Sequence, residues 1–223
     1  MNLNRILAYS LCSVALLAQL SCQQDNKTPA LFELMENTGI NFKNDVQHNK
    51  DVNVLTFRNF YNGGGVAIGD INNDGLADVF FTANMGPNKL YLNKGNWQFE
   101  DISEKAGFTD KDRWSTGAVM VDINHDGWLD IFVANSGNMT DSLLRRNQLF
   151  INNKDLTFTE SAADYGLDDD GYTTQATFFD YDLDGDLDCF LVNNSPIPVN
   201  TLNYANKRSL PASEWPVAGF LKG

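Results

Sequence analysis

The chain has 223 residues, of which 43% are hydrophobic, and it carries a formal net charge of -13. A chain of this size and composition can bury a hydrophobic core, so we expect no long disordered segment except near the N-terminus. The acidity disfavours nucleic acid as a partner, because the phosphates would be repelled. The acidic residues are clustered rather than spread, and these clusters are the first clue to function.

The N-terminal segment is typical of an export signal. A short start with one basic side chain, Arg5, precedes the mostly apolar run 6–20, which is short for a membrane span of about 20 residues. A small residue and then Cys22 follow, and this ending resembles a bacterial lipoprotein signal, in which the cysteine becomes the lipidated first residue. We therefore expect a signal peptide at 1–22 and a flexible linker at 23–30. An ordinary signal peptide cut nearby is the alternative, and either would take the mature protein out of the cytoplasm.

One pattern occurs three times in the remainder of the chain. It consists of an apolar run, an Asp-rich loop and a second apolar run, with the loops at 70–78, 122–130 and 180–188. The first Asp of each later loop lies 52 and then 58 residues after the preceding one. A further segment repeats after the first two loops, where 88–93 matches 147–152 and a Phe-containing strand follows. An internal repeat of this length predicts a modular architecture.

Each repeat reads as four short strands, because runs rich in Val, Ile and Phe are bounded by Gly, Asn and Asp. Four strands in about 50 residues predict an all-β fold, a β-propeller of four-stranded blades. We expect blades around 63–107 and 115–166, and an incomplete blade at 174–223, within a repeat region spanning 31–223. A fainter copy of the repeat's end lies near 32–39. Three loops are too few for a closed propeller, so we expect an N-terminal piece of a longer protein or, alternatively, closure by pairing with another chain.

The Asp loops follow the pattern Asp-x-[Asn/Asp]-x-Asp-Gly-x-x-Asp, which predicts one calcium ion per loop, about three in all. Calcium takes six to eight oxygen ligands, and alternating positions one, three and five direct side-chain oxygens inward. The Gly at position six permits a sharp turn, position seven offers a carbonyl and position nine adds a carboxylate. The predicted ligands are, in loop one, Asp70, Asn72, Asp74, the Leu76 carbonyl and Asp78; in loop two, Asp122, Asn124, Asp126, the Trp128 carbonyl and Asp130; and in loop three, Asp180, Asp182, Asp184, the Asp186 carbonyl and Asp188.

Other interpretations of the loops fit less well. An EF-hand needs an acidic residue at position 12, where this chain has Phe81, Val133 and Leu191. Magnesium demands a tighter octahedral geometry, and transition metals favour His or Cys ligands. The histidine in the loops is His125, at a position that should point outward. A metal-free hairpin turn remains possible for a single loop, but three loops in register favour a cation.

The blade pattern and its loop resemble the FG-GAP/VCBS repeats of calcium-bearing β-propellers. The run 57–78, with the letters NFYNGGG at 59–65, is similar to VCBS-repeat lipoproteins related to the ASPIC/UnbV and cartilage acidic protein group. The resemblance covers roughly 31–194, and the C-terminal ASPIC/UnbV module of that group has no counterpart here. It implies loops that hold calcium in a mainly structural role, and a binding or scaffold function rather than a reaction.

Three functions stay open at this point. The first is an exported, lipid-anchored propeller that binds an extracellular protein or a glycan, on the outer membrane or surface of a Gram-negative-type bacterium. Four aromatic residues could contact a sugar or could fill blade interfaces instead: Tyr61, Trp97, Trp114 and Trp128. The second is the scaffold of a polysaccharide lyase or hydrolase, although no catalytic motif is recognisable outside the loops. The third is a purely structural support for another domain. We expect no enzymatic activity and membrane contact only through the lipid.

Overall fold

The computed structural model describes residues 31–137 and 140–194. The predicted signal peptide at 1–22, the lipidation of Cys22, the linker at 23–30 and the stretch from 195 to 223 lie outside the described residues. Residues 31–36 contain no helix or strand. Residues 37–39 contain none either, so the fainter copy of the repeat's end at 32–39 does not form a strand. No helix in the described residues is long and apolar enough to cross a bilayer.

Three antiparallel sheets follow one another along the chain. The first contains β1 (Val66–Gly69), β2 (Asp78–Phe81), β3 (Lys89–Asn93) and β4 (Phe99–Asp101). The second contains β5 (Trp114–Val121), β6 (Asp130–Ser136), β7 (Gln148–Asn152) and β8 (Phe158–Glu160). The third contains β9 (Thr173–Phe179) and β10 (Asp188–Asn193). A one-turn helix α1 (Ser103–Ala106) follows β4, and a 3-10 turn (Leu143–Arg145) precedes β7.

Neighbouring strands in each sheet are also neighbours in sequence. The register is equivalent in the three sheets, since Gly69 pairs with Asp78, Val121 with Asp130, and Phe179 with Asp188. Each of these pairs closes the hairpin that carries an Asp loop. The predicted four-stranded repeat is thus confirmed for the first two copies, and the third copy has its first two strands. The fold is all-β and consists of propeller-type sheets, and the three sheets of the described residues do not close into a ring.

The hydrophobic core lies between the sheets, and β6 shows how it is divided. Ile131 and Val133 pack toward the first sheet, in the cluster that contains Phe80. The alternate residues Phe132 and Ala134 pack in a second cluster with Ala176 of β9. Successive side chains of a strand point to opposite faces, so β6 is apolar on both faces because both faces are covered. This explains the continuous apolar runs beside the Asp loops.

The first strands of the three sheets lie side by side, with β5 between β1 and β9. Two glycines permit this close approach. A Cβ atom on Gly65 would lie 2.8 Å from the carbonyl oxygen of Thr116, and one on Gly117 would lie 2.5 Å from that of Thr174. Any larger residue would push the backbones of neighbouring sheets apart. The arrangement is that of inner strands around a propeller axis.

Two hydrogen-bond relays join neighbouring sheets, and both are buried except at Asn193, which is exposed. In the first relay, Asn88 Nδ2 donates to Ser115 Oγ at 3.1 Å, and Ser115 Oγ donates to Asn135 Oδ1 at 2.8 Å. The second relay repeats this order at 3.0 and 2.7 Å through Asn147, Thr173 and Asn193. The two asparagines that begin the relays occupy the same position in the repeat. Each relay connects the residue just before the third strand of one sheet to the first strand of the next, so it fixes how neighbouring sheets pack.

Replacing Thr173 by Val should lower the free energy of unfolding by about 1–3 kcal/mol, because the buried Asn147 amide would lose its acceptor. Valine keeps the branched shape of threonine, so packing changes little. Thr177→Val is the matched control on the exposed side of β9 and should change stability by at most about 0.5 kcal/mol. Urea unfolding of the full chain measures both. Equal effects of the two substitutions would contradict a stabilising role for the relay.

Candidate functional site

The three Asp loops connect the first two strands of each sheet and share one backbone shape. Positions four and six of every loop have positive φ angles. The values are 58° and 85° for Asn73 and Gly75, 55° and 83° for His125 and Gly127, and 64° and 98° for Leu183 and Gly185. Leucine rarely adopts this conformation, so the loop imposes the shape on the residue. The side chain of His125 is exposed, as expected for a residue that points away from a metal.

The first Asp of each loop is wrapped by backbone amides. Asp70 accepts hydrogen bonds from Asp74 N at 3.2 Å and from Gly75 N at 2.7 Å. Asp122 accepts the equivalent bonds at 3.0 and 2.9 Å, and Asp180 accepts the bond from Gly185 N at 3.2 Å. In every loop the Asp at position five accepts the amide of position seven, at 2.8, 2.9 and 3.1 Å in chain order. The loops are therefore ordered by their own backbone around inward-facing carboxylates.

The ninth position has a second role in the first two loops. Asp78 and Asp130 are completely buried. Asp130 accepts hydrogen bonds from Ile123 N at 3.2 Å and from Asn152 N at 2.8 Å, and Asp78 accepts the equivalent pair at 3.0 and 2.7 Å. Burial raises the pKa of both carboxyl groups, although the amide bonds oppose the shift. Each aspartate thus clamps its loop to the third strand, a function that the ligand pattern did not predict.

Loop three brings three of its predicted ligands together. Carboxylate oxygens of Asp180, Asp182 and Asp188 all lie within 4.8 Å of one another, and this group can hold a metal ion. Asp180 Oδ1 is buried and has no hydrogen-bond partner in the described part of the chain. Calcium ligands at about 2.3–2.6 Å from the ion lie up to about 5 Å apart on opposite sides of it. The all-oxygen donor set and its spacing fit calcium.

The remaining acidic side chains of loop three crowd each other. Asp184 does not join the three-carboxylate group and instead accepts the amide of Asp186 at 3.1 Å. That backbone bond, together with a side-chain bond from Asp186, lowers the pKa of Asp184. The pKa of Asp186 is raised by its hydrogen bond to Asp184 and by the charge of that carboxylate. Five acidic residues in nine positions repel one another unless a cation or protons offset their charge.

The ligands predicted in loops one and two lie close together, but some of their oxygens already pair with amide or ammonium groups of the protein. Asn72 Nδ2 donates to Asp74 Oδ2 at 2.9 Å in loop one. In loop two, Lys154 Nζ lies 3.3 Å from Asp126 Oδ2. Among the described residues, these two loops do not form a group of three acidic oxygens like that of loop three. Their ligand assignments stay predictions.

A cleft of about 660 Å³ lies away from the Asp loops. It is lined by the segment 51–57 and by the loops that follow β2 and β4. Because strand direction alternates, these loops are at the opposite edge of the sheets from the Asp loops. Phe57 and Trp114 are buried at its wall, and Lys111 and Asp112 are exposed at its rim. The cleft offers both charge signs but no open aromatic face.

The aromatic residues suggested by the sequence divide into two groups. Trp114 is 6% exposed and packs against Phe57 and Phe60, so it is a core residue. Tyr61 is 65% exposed and Trp97, in the turn between β3 and β4, is 63% exposed. Trp128 is half-buried in loop two. Of the four, Tyr61 and Trp97 therefore present the most surface to a partner.

A model of FG-GAP-like repeats matches residues 70–133 and 122–191. The two matches together span 70–191, which is 122 of the 223 residues and more than half of the chain. The chain belongs to the FG-GAP-like repeat family. Each match begins at the first Asp of one loop and ends within the strand that follows the next loop. Each match therefore contains two Asp loops and strands of two neighbouring sheets.

One segment of this FG-GAP-like chain is also similar to cartilage acidic protein 1. The Xenopus tropicalis protein is 40% identical over 78 residues, which are 34% of this chain and 12% of that protein. The Homo sapiens protein is 37% identical over 76 residues, with the same two shares. The chain therefore covers about an eighth of the length of these relatives. The similarity supports the expected relationship to that group at the level of the repeats.

In excess EDTA, Asp130→Asn should lower the free energy of unfolding by about 1–3 kcal/mol. Asparagine has one acceptor oxygen, so its NH₂ group would face one of the two buried amides. The matched control is Asp188→Asn, the same position in loop three, where the side chain is exposed and accepts one amide, from Tyr181. That change should be neutral or slightly stabilising, because it relieves carboxylate repulsion. A smaller loss for Asp130→Asn than for Asp188→Asn, measured by denaturant unfolding, would refute the clamp.

Proposed function

We propose that this chain is part of an exported, lipid-anchored β-propeller that is stabilised by calcium and serves as a binding or scaffold module. The observation that carries the proposal is the repeated loop. Three equivalent turns hold carboxylates inward. In the third, carboxylate oxygens of Asp180, Asp182 and Asp188 lie within 4.8 Å of one another, and Asp180 Oδ1 is buried with no hydrogen-bond partner among the described residues. A bound calcium would offset this charge and supply the missing partner.

The role of the cation in this proposal is structural. In loops one and two, the amides of residues 71 and 123 and the third strand already converge on the ninth-position aspartate. A cation held by the other carboxylates and by the position-seven carbonyls would fix the two ends of the same hairpin. The first two strands of each sheet would then be joined at their loop end by a charge-based link in addition to backbone hydrogen bonds.

We further propose that the module binds an extracellular protein or a glycan and catalyses no reaction itself. Loops at the edges of a rigid sheet scaffold are the usual place for recognition. The described residues offer two such places at opposite edges, namely the mixed-charge cleft beside Lys111 and the exposed Trp97 on the side of the Asp loops. The membrane would be contacted through lipid on Cys22 and nucleic acid would not bind.

Calcium should raise the melting temperature of the full chain, and EDTA should reverse the gain. A ligand that binds only the folded state stabilises it by about 2.7 kcal/mol per site at a hundredfold excess over Kd. Magnesium should give a smaller shift because it needs stricter geometry. Asp182→Asn, which removes one charge from the three-carboxylate group, should reduce the calcium-dependent gain. A melting temperature that does not respond to calcium would overturn the metal assignment.

Replacing Cys22 by Ala should release the protein from the membrane fraction of bacterial cells, because the lipid acceptor is lost. The comparison is wild type against the variant, expressed from the same full-length gene and detected in washed membranes. Ser21→Ala is the control, since it keeps a small residue before the cysteine. Retention of the Cys22 variant on the membrane would show that another segment provides the anchor.

A further inference from the structure

Loops one and two are joined directly by a side chain. Asn73, at position four of loop one, donates a hydrogen bond from Nδ2 to the carbonyl oxygen of Gly127 at 3.0 Å. Gly127 is at position six of loop two and precedes Trp128, whose carbonyl is a predicted ligand. The bond therefore ends one residue from the proposed metal site of the neighbouring sheet.

A second bridge runs through Asn152, at the end of β7. Its Nδ2 donates both to Leu129 O at 3.1 Å and to Ile71 O at 2.8 Å, and its backbone N–H donates to Asp130. Asn152 is 4% exposed, so water competes little for these bonds. One amide group thus holds backbone of loop one and loop two at once.

The equivalent residue of the first sheet shows what is special about this bridge. Asn93 makes the same bonds to its own hairpin, with its N–H on Asp78 and its Nδ2 on Ala77 O at 2.9 Å. The contact of Asn152 with Ile71 is thus an addition to a bond pattern that already anchors one loop. Ile71 in turn lies between two predicted ligands of loop one and donates its N–H to Asp78.

We propose that loops one and two form a coupled pair. A calcium ion bound in one loop raises the affinity of the other loop for calcium, through Asn73 and Asn152. This inference rests on the proposed function. Binding at loop one orders the backbone at residues 71 and 73, and the bridges transmit that order to residues 127 and 129 of loop two. The second binding event then orders fewer groups, which is positive coupling. By reciprocity, loop two affects loop one by the same factor.

Loop three serves as an internal reference. In the part of the chain that the structure describes, no hydrogen bond joins loop two to loop three. The residue of loop two that is equivalent to Asn73 is His125, whose side chain is exposed. The coupling should therefore be confined to the first two loops.

The test is a calcium titration of the full chain, followed by hydrogen exchange and mass spectrometry of peptides covering each loop. Asp70→Ala removes the first ligand of loop one. It should shift the calcium midpoint of protection in loop two about fivefold upward, the lower end of typical couplings, and leave loop three unchanged. If Asp70→Ala reduces the folded fraction, Asn72→Ala weakens loop one while keeping the carboxylate that orders its amides.

The bridge variants decide whether the coupling runs through these residues. In a background of Asn73→Gly and Asn152→Ala, adding Asp70→Ala should no longer move the loop-two midpoint. Glycine is chosen at 73 because it tolerates the positive φ of 58° there, so only the amide side chain is removed. The matched controls are His125→Gly and Asn93→Ala, which change equivalent positions and should retain the fivefold shift.

Two negative results have different meanings. Calcium protection of all three loops with an unmoved loop-two midpoint in Asp70→Ala would overturn the coupling and leave the proposed calcium role standing. If calcium protects none of the three loops, the proposed calcium role is overturned, and the coupling with it. A fivefold shift that persists without both bridges would also overturn the assignment to Asn73 and Asn152.

Discussion

A small sheet that is apolar on both faces is stable only between two others, and this requirement organises the molecule. Strand β6 satisfies it completely, because Ile131 packs toward the first sheet while Phe132 packs toward the third. Burial of apolar surface stabilises a fold by about 25 cal/mol per Å². A strand such as β6 buries apolar surface on two faces rather than one. Strand β10 has the same kind of sequence, yet its Phe190 is 60% exposed. The difference lies in the neighbours and not in the strand itself.

Stacking creates a second problem, which the polar residues solve. Sheets that meet face to face can slide or rotate, since apolar contact is non-directional. The asparagine relays and the side-chain bridges at Asn152 provide direction, because hydrogen bonds require particular distances and angles. The ninth-position aspartates do the same within a sheet by tying the hairpin loop to the third strand. Much of the polar chemistry at the two edges of the sheets therefore positions apolar sheets.

The repeat in the sequence predicted the strands well because its signal is strong at every level. Apolar runs, Asn-Gly-rich turns and Asp loops recur in register, so each copy supports the assignment of the others. Side-chain roles were harder to predict. Asp78 and Asp130 fit a ligand pattern, and that pattern contains no information about the third-strand amides that they accept. Asn88 and Asn147 were recognisable as a matched pair, but their hydroxyl partners lie 27 and 26 residues away.

Two further assignments depended on contacts that spacing cannot reveal. Trp114 was a candidate for ligand contact from its residue type, but the segment that contains Phe57 covers it. Asp184 occupies the central position of its loop motif, yet its oxygen accepts a backbone amide while Asp180, Asp182 and Asp188 converge. A short motif specifies which atoms are available in a loop. The direction in which each one points is decided by the local backbone and by neighbouring elements.

The repetition of the interface has a geometric consequence. Both boundaries between sheets use the same relay, the same order of donors and acceptors, and hydrogen-bond lengths that agree within 0.1 Å. Two equal interfaces impose equal rotations between neighbouring sheets. Every sheet added through the same interface is therefore turned by one constant angle relative to the sheet before it. The number of sheets that would complete a circle is then set by the dimensions of the boundary, in the way that subunit geometry sets the size of a ring assembly.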